Sequence, residues 1–287
     1  MKKTIIQATD YSKNAVAALK YAYAMCTNID ASLLVIHVFD IPTIMSTEIK
    51  EPYQNLEKET FKMHHSKLED FCKKHLGNEL IKMDVRVEAI EDKSVVNGII
   101  SKVKELNAYM LVAGMKGQSA LKELMMGNTT RHLIEKSPCP VLAIPEDTSH
   151  RQIETIVYTT DFQEEDVDAI QKLTEIANPF NALIKIVHIS NDKEYDGNVQ
   201  MKWFEEMLKN KVNYKKLEFK VLYSENIFNT LRIYLGDESA DMVAMLERKK
   251  RGLIKKWFHH DLVKKMESYG RMPLISFNKF NYELIHH

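Results

Sequence analysis

The sequence predicts an α/β protein built as two tandem open five-stranded, mostly parallel sheets flanked by helices. Three observations predict it. Short apolar runs alternate with helical periodicity along the chain, which is the pattern of βα units on a parallel sheet. A motif recurs: residues 4–10 read Thr-Ile-Ile-Gln-Ala-Thr-Asp and residues 155–161 read Thr-Ile-Val-Tyr-Thr-Thr-Asp, 151 positions on, and His37 and His188 in the next apolar runs keep the same spacing. An offset that survives two strands and the helix between them marks an internal repeat. Residues 111–145 read strand, glycine loop, helix, strand.

The first copy opens with a buried strand at 5–8. Ser12 can cap a helix whose apolar positions Val16, Leu19, Tyr23 and Cys26 recur at helical spacing. Residues 32–39 are apolar enough for a strand buried on both faces. An amphipathic helix follows at 55–76, with Gly77 as its stop. Residues 83–89 alternate with period two. Ser94 can cap a helix carrying Val96, Ile99, Ile100, Val103 and Leu106. A strand at 109–113, the glycine-loop helix and a strand at 141–144 complete the unit.

The second copy repeats the order. Strands are expected at 155–158, 183–189, 217–223, 242–246 and 274–277, and helices at 164–177, 199–212, 227–235 and 252–268. Met110 and Met242 are 132 apart, so connections in the second copy are shorter. The chain turns polar at 146–151, which sets the expected domains at 1–147 and 148–287. A length of 287 residues suits two domains.

Composition excludes several function classes. Lys plus Arg and Asp plus Glu number 40 each, giving net charge zero. Broad nucleic-acid binding needs a positive field and is not expected. Cys26, Cys72 and Cys139 form no C-x-x-C pair and are odd in number, which points to a reducing cytoplasm. The Met-Lys-Lys start lacks a secretory pattern, and no apolar run nears the roughly 20 residues that span a bilayer. A cytoplasmic location with no membrane partner is the expectation.

The chemistry concentrates at the glycines. Gly114 and Gly117 would let backbone N–H groups approach a ligand without a Cβ in the way. Gly127 stands where a helix begins, so unpaired N–H groups and the positive dipole end can meet an anion. Asn128, Thr129 and Thr130 add donors there. The spacing is neither a Walker A loop nor a Rossmann G-x-G-x-x-G. Two turns and a helix cap would account for the glycines without a ligand.

Ala-Thr-Asp-Tyr-Ser after the first strand, Ile-His-Val-Phe in the second, Gly-x2-Gly-x9-Gly and Ser-Pro-Cys-Pro-Val-Leu-Ala-Ile-Pro carry a resemblance. The chain resembles a tandem universal stress protein, closely over 1–147 and mainly in architecture over 148–287. The resemblance implies a fold of the adenine nucleotide alpha hydrolase-like kind and ATP binding at the carboxyl ends of the strands, with AMP or ADP as alternatives and magnesium or manganese as a possible companion. It implies that Asp10 faces the ribose or base and that Val38 offers backbone groups to the adenine edge. Ala113, Gly114 and Gly117 would line the phosphate loop. Gly127, Asn128, Thr129 and Thr130 would hold the phosphates. One departure is Asn128, where the family usually has Ser or Thr. In the second copy the three glycines map near Leu246, Lys249 and His259, so one competent site is expected. The resemblance also implies pairing of the halves through their last strands as a pseudo-dimer. The whole chain could dimerise again.

Other features read as structural. Asp161 and Ser12 suit a turn brace and a helix cap. His64-His65 and His259-His260 read as surface histidines, because adjacent helix residues diverge. The run at 247–251 reads as a solvated basic loop. Trp203, Phe204, Trp257 and Phe258 read as core or interface packing. Three function classes stay open: an ATP-binding stress-response regulator, a slow ATPase or phosphotransferase, and a nucleotide-free scaffold. No positioned base or arginine finger can be assigned for the enzyme.

Overall fold

The computed structural model describes residues 2–41, 53–78, 84–115, 128–148, 152–190, 196–247 and 272–278. The strands are β1 (Lys3–Ala8), β2 (Ala31–Phe39), β3 (Val85–Glu91), β4 (Met110–Met115), β5 (Val141–Pro145), β6 (Thr155–Thr159), β7 (Leu183–Ser190), β8 (Leu217–Tyr223), β9 (Met242–Glu247) and β10 (Leu274–Asn278). The helices are α1 (Lys13–Ile29), α2 (Tyr53–Leu76), α3 (Val95–Glu105), α4 (Asn128–Lys136), α5 (Glu164–Ala177), α6 (Gly197–Lys211) and α7 (Ile227–Asp237). These match the spans expected from sequence to within a few residues. The helix expected at 252–268 lies outside the described residues.

The strands form one ten-stranded sheet in the order β3-β2-β1-β4-β5-β10-β9-β6-β7-β8. Neighbours within each set of five are parallel. The sets meet where β5 and β10, the last strand of each, pair antiparallel with Ile275 opposite Leu142. Strand order reverses between β1 and β4, and again between β6 and β9. Such switch points open crevices at the carboxyl ends of strands in α/β sheets.

Alternation in the strands divides the core into two layers. Ile5, Leu33, Val112, Ile156, Ile184 and Ile275 join one cluster with α1, α2, α5 and α6. Ile6, Leu34, Leu111, Val157, Val243 and Leu274 join the other with α3, α4 and α7. α1 is rich in alanine, the best helix former, and is buried along most of its length. Its N-cap is Ser12, whose Oγ accepts from the Ala15 amide at 3.3 Å. Ser94 caps α3 in the same way, accepting from the Asn97 amide at 3.3 Å. Gly77, just past α2, has a φ of 54°, the left-handed conformation that ends helices. α5 places Glu164, Glu165 and Asp166 in its first turn, where negative charge meets the positive dipole end.

Local geometry repeats at the sequence offset. His37 Nδ1 meets the Thr9 carbonyl at 2.8 Å, and His188 Nδ1 meets the Thr160 carbonyl at 2.8 Å. Tyr11 and Phe162 follow those threonines with φ of 65° and 61°. Each donates its amide to the preceding threonine hydroxyl, at 3.0 and 2.9 Å. Contacts also cross between the halves: the Lys172 ammonium of α5 sits 4.6 Å above the Tyr109 ring beside β4.

One expectation about a side chain is corrected, and one is narrowed. His64 is no plain surface residue: its ring stacks on Phe39 at 4.0 Å and on His37 at 5.4 Å. His65 is exposed and pairs with Glu69. Of the neighbouring aromatics, Phe204 is fully buried while Trp203 is 54% exposed, so only Phe204 packs in the core. Trp257, Phe258 and the His259-His260 pair lie outside the described residues.

Candidate functional site at the first switch point

At the switch point between β1 and β4, where sheets of this kind open a crevice, the turn after β1 is bonded to the end of β2 and the end of β4 to the start of α4. The β1 turn is fixed by its own side chains. Asp10 is exposed and its Oδ1 accepts from the Ser12 amide at 3.0 Å. Asp10 therefore braces the turn while keeping its carboxylate at the surface. Burial, and secondarily Cys72, push the Tyr11 hydroxyl up to about 12, so Tyr11 stays neutral beside His37.

Val38 is buried under the first turn of α3. A Cβ added at Gly98 would come within 3.0 Å of its Cγ1. The Ile36 carbonyl accepts from the Thr9 amide. Backbone groups alternate sides along a parallel strand, so those of Val38 point the same way as those of Ile36, to the β1 side.

Ala113 is buried and opposite Ala8 in the ladder. Gly114 has a tighter constraint: a Cβ there would lie 2.6 Å from the Asn14 carbonyl carbon and 2.7 Å from its oxygen. The absent side chain makes room for the first turn of α1. Packing against α1 by itself requires a glycine at this position, whatever else the position does. Gly117 and Gly127 lie outside the described residues.

α4 begins with Asn128 and Thr129 exposed and Thr130 buried. The Thr130 hydroxyl donates to the Gly114 carbonyl at 2.9 Å. Its proton is committed to β4, so an anion would meet the Thr130 amide rather than donation from its hydroxyl. Arg131 is held by Glu135 through Nε at 3.0 Å. No acidic residue lies in the first turn of α4, so the helix itself places no negative charge at the positive end of its dipole.

Residues 1–145 match the universal stress protein family. The chain belongs to that family. A candidate universal stress protein of Staphylococcus aureus (strain USA300) is 26% identical over 163 residues, covering 56% of this chain and 95% of that protein. An uncharacterized protein of Schizosaccharomyces pombe is 22% identical over 139 residues, 48% of this chain but only 22% of that protein. The crystal structure of a universal stress protein from Archaeoglobus fulgidus superposes with a TM-score of 0.72 at 15% identity, covering 96% of this chain and 98% of that one. That likeness establishes the α/β fold along nearly the whole chain.

The second switch point differs in chemistry. Asp166, fully buried, accepts from the Tyr158 hydroxyl at 2.8 Å, the Thr160 hydroxyl at 2.9 Å, and the amides of Asp161 and Gln163 at 3.2 and 3.1 Å. Asp166 is thus a buried carboxylate that braces this turn from the first turn of α5. Its signal was present in the sequence: an acid at the third helical position returning to the N-cap amide is half of a capping box. Leu246, expected in place of Gly114, is buried at the end of β9; Lys249 and His259 lie outside the described residues. Among those residues no helix is long and apolar enough to cross a membrane.

Proposed function

We propose that this universal stress protein binds an adenine nucleotide, ATP foremost, at the first switch point and acts as a regulatory module in stress responses. The observation that carries the reading is the Thr130–Gly114 hydrogen bond. It fastens the start of α4 to the carboxyl end of β4, so helix N–H groups sit at the crevice mouth, where anions are favoured. Asp10 takes the ribose or base, the Val38 backbone the adenine edge, and Ala113, Gly114, Gly117, Gly127, Asn128, Thr129 and Thr130 the phosphates. Magnesium or manganese would offset phosphate charge.

The same reading divides the chain into domains 1–147 and 148–287, paired through β5 and β10 as a pseudo-dimer. The antiparallel register of those strands and the mirrored strand order support it. The second domain carries no competent site: a self-satisfied carboxylate holds its turn, and Leu246 replaces a glycine.

The test is thermal unfolding against ATP, AMP and magnesium. A ligand selective for the native state adds about 2.7 kcal/mol at a hundredfold excess over Kd, so Tm rises with ATP concentration. Thr130→Val reduces the shift. Phosphate release over hours would convert the module into a slow ATPase. A second reading, a nucleotide-free scaffold, is favoured by Gly114, whose smallness packing already explains. No Tm change at millimolar ATP selects it.

A further inference from the structure

α4 is anchored at its far end by the other half of the chain. The last four carbonyls of a helix have no intrahelical partner. Two of them in α4, those of Ile134 and Glu135, accept from the Asn278 side-chain amide at 3.2 and 2.6 Å. Asn278 is 144 and 143 residues away and 2% exposed. It occupies the end of β10, opposite Glu247 of β9 and just past the Ser276–Val141 pair. Donors at a helix carboxyl end stabilise it as cations do there.

α4 has nine residues, about 13 Å from end to end at 1.5 Å per residue. A rod this short transmits displacement. One end is tied to β4 by Thr130 and the other to β10 by Asn278. Moving the cap moves the amides at the crevice.

We propose that Asn278 is a positioning residue for the nucleotide site, through which the C-terminal half sets the placement of the anion-binding end of α4. The inference rests on the nucleotide reading above. By linkage it runs both ways: nucleotide at the start of α4 steadies β10, and loss of the cap weakens nucleotide binding.

Hydrogen exchange of the full chain, with and without MgATP, tests it. In the unmodified protein, MgATP slows exchange in α4 and also in β10. Asn278→Ala weakens MgATP affinity roughly two- to tenfold, the equilibrium worth of one net hydrogen bond, and abolishes the β10 response. Asn278→Ser, which keeps a short donor, restores part of both, and it serves if the alanine variant fails to fold. MgATP that protects α4 but leaves β10 unchanged overturns the proposal without any variant. So does unchanged affinity in a folded Asn278→Ala protein. Absence of any MgATP response in the unmodified chain overturns the nucleotide reading itself, and this one with it.

Discussion

Gly114 lies against the backbone of Asn14 so closely that a methyl group on it would sit 2.6 Å from the Asn14 carbonyl carbon. The obstacle is backbone in the first turn of α1, which cannot rotate away as a side chain can. Gly114→Ala therefore destabilises the protein by about 1–3 kcal/mol, the usual range for overpacking. Urea unfolding in nucleotide-free buffer measures it. A variant as stable as the parent would mean that α1 shifts freely and that packing does not account for this glycine.

Asp166 is the hub of the second turn, with four donors converging on one buried carboxylate. Asp166→Ala leaves the Tyr158 and Thr160 hydroxyls without that acceptor in the core. The expected loss is about 3 kcal/mol, since buried groups stripped of a charged partner cost 1–3 kcal/mol each, less relaxation. Chemical denaturation checks the size. A loss under about 1 kcal/mol would show that water or a neighbour replaces the carboxylate.

His64 makes stability depend on pH. Burial, then His37 and Lys67, lower its affinity for a proton below that of a free imidazole. His75 is lowered too, by burial and then by Lys74 and Lys20. The unfolded chain then binds more protons than the native one, so stability rises with pH. The contribution is complete above the unfolded value of about 6.5 and is lost as pH falls from there through the folded values. His64→Phe, which keeps a ring against Phe39, flattens part of that slope and leaves the part due to His75. Melting curves from pH 5 to 8 test this. An unchanged slope in the variant would remove His64 as a source.

The three thiols are buried and free. Burial pushes Cys26 and Cys72 up to about 12 and Cys139 up to about 11. Only the thiolate attacks a disulfide reagent. At neutral pH an aromatic disulfide titrates none of them rapidly in the native protein and all three after denaturation. A fast-reacting native thiol would contradict their placement.

Much of the fold could be read from residues alone, because each strand and helix announces itself locally. Ser12 and Ser94 were legible as caps, and Gly77 as a helix stop, because those signals act within a few residues. The β1 turn was legible for the same reason. The reason for Gly114 was not, because it depends on which helix crosses β4. His64 read as surface because its partners Phe39 and His37 lie on another element. Asn278 could not be found at all: its acceptors are more than 140 positions away. Local chemistry is written in order along a chain, whereas contacts between elements are fixed only once the sheet has assembled.

The antiparallel junction of β5 and β10 has a consequence for how copies of this chain can meet. Two strands that might have offered open hydrogen-bonding rims are consumed by one another. Among the described residues the rims left are β3 and β8, which carry Arg86, Glu88, Glu218 and Lys220. Charged residues along a rim discourage further strand addition. Among the described residues, then, neither strand rim favours self-association by strand addition.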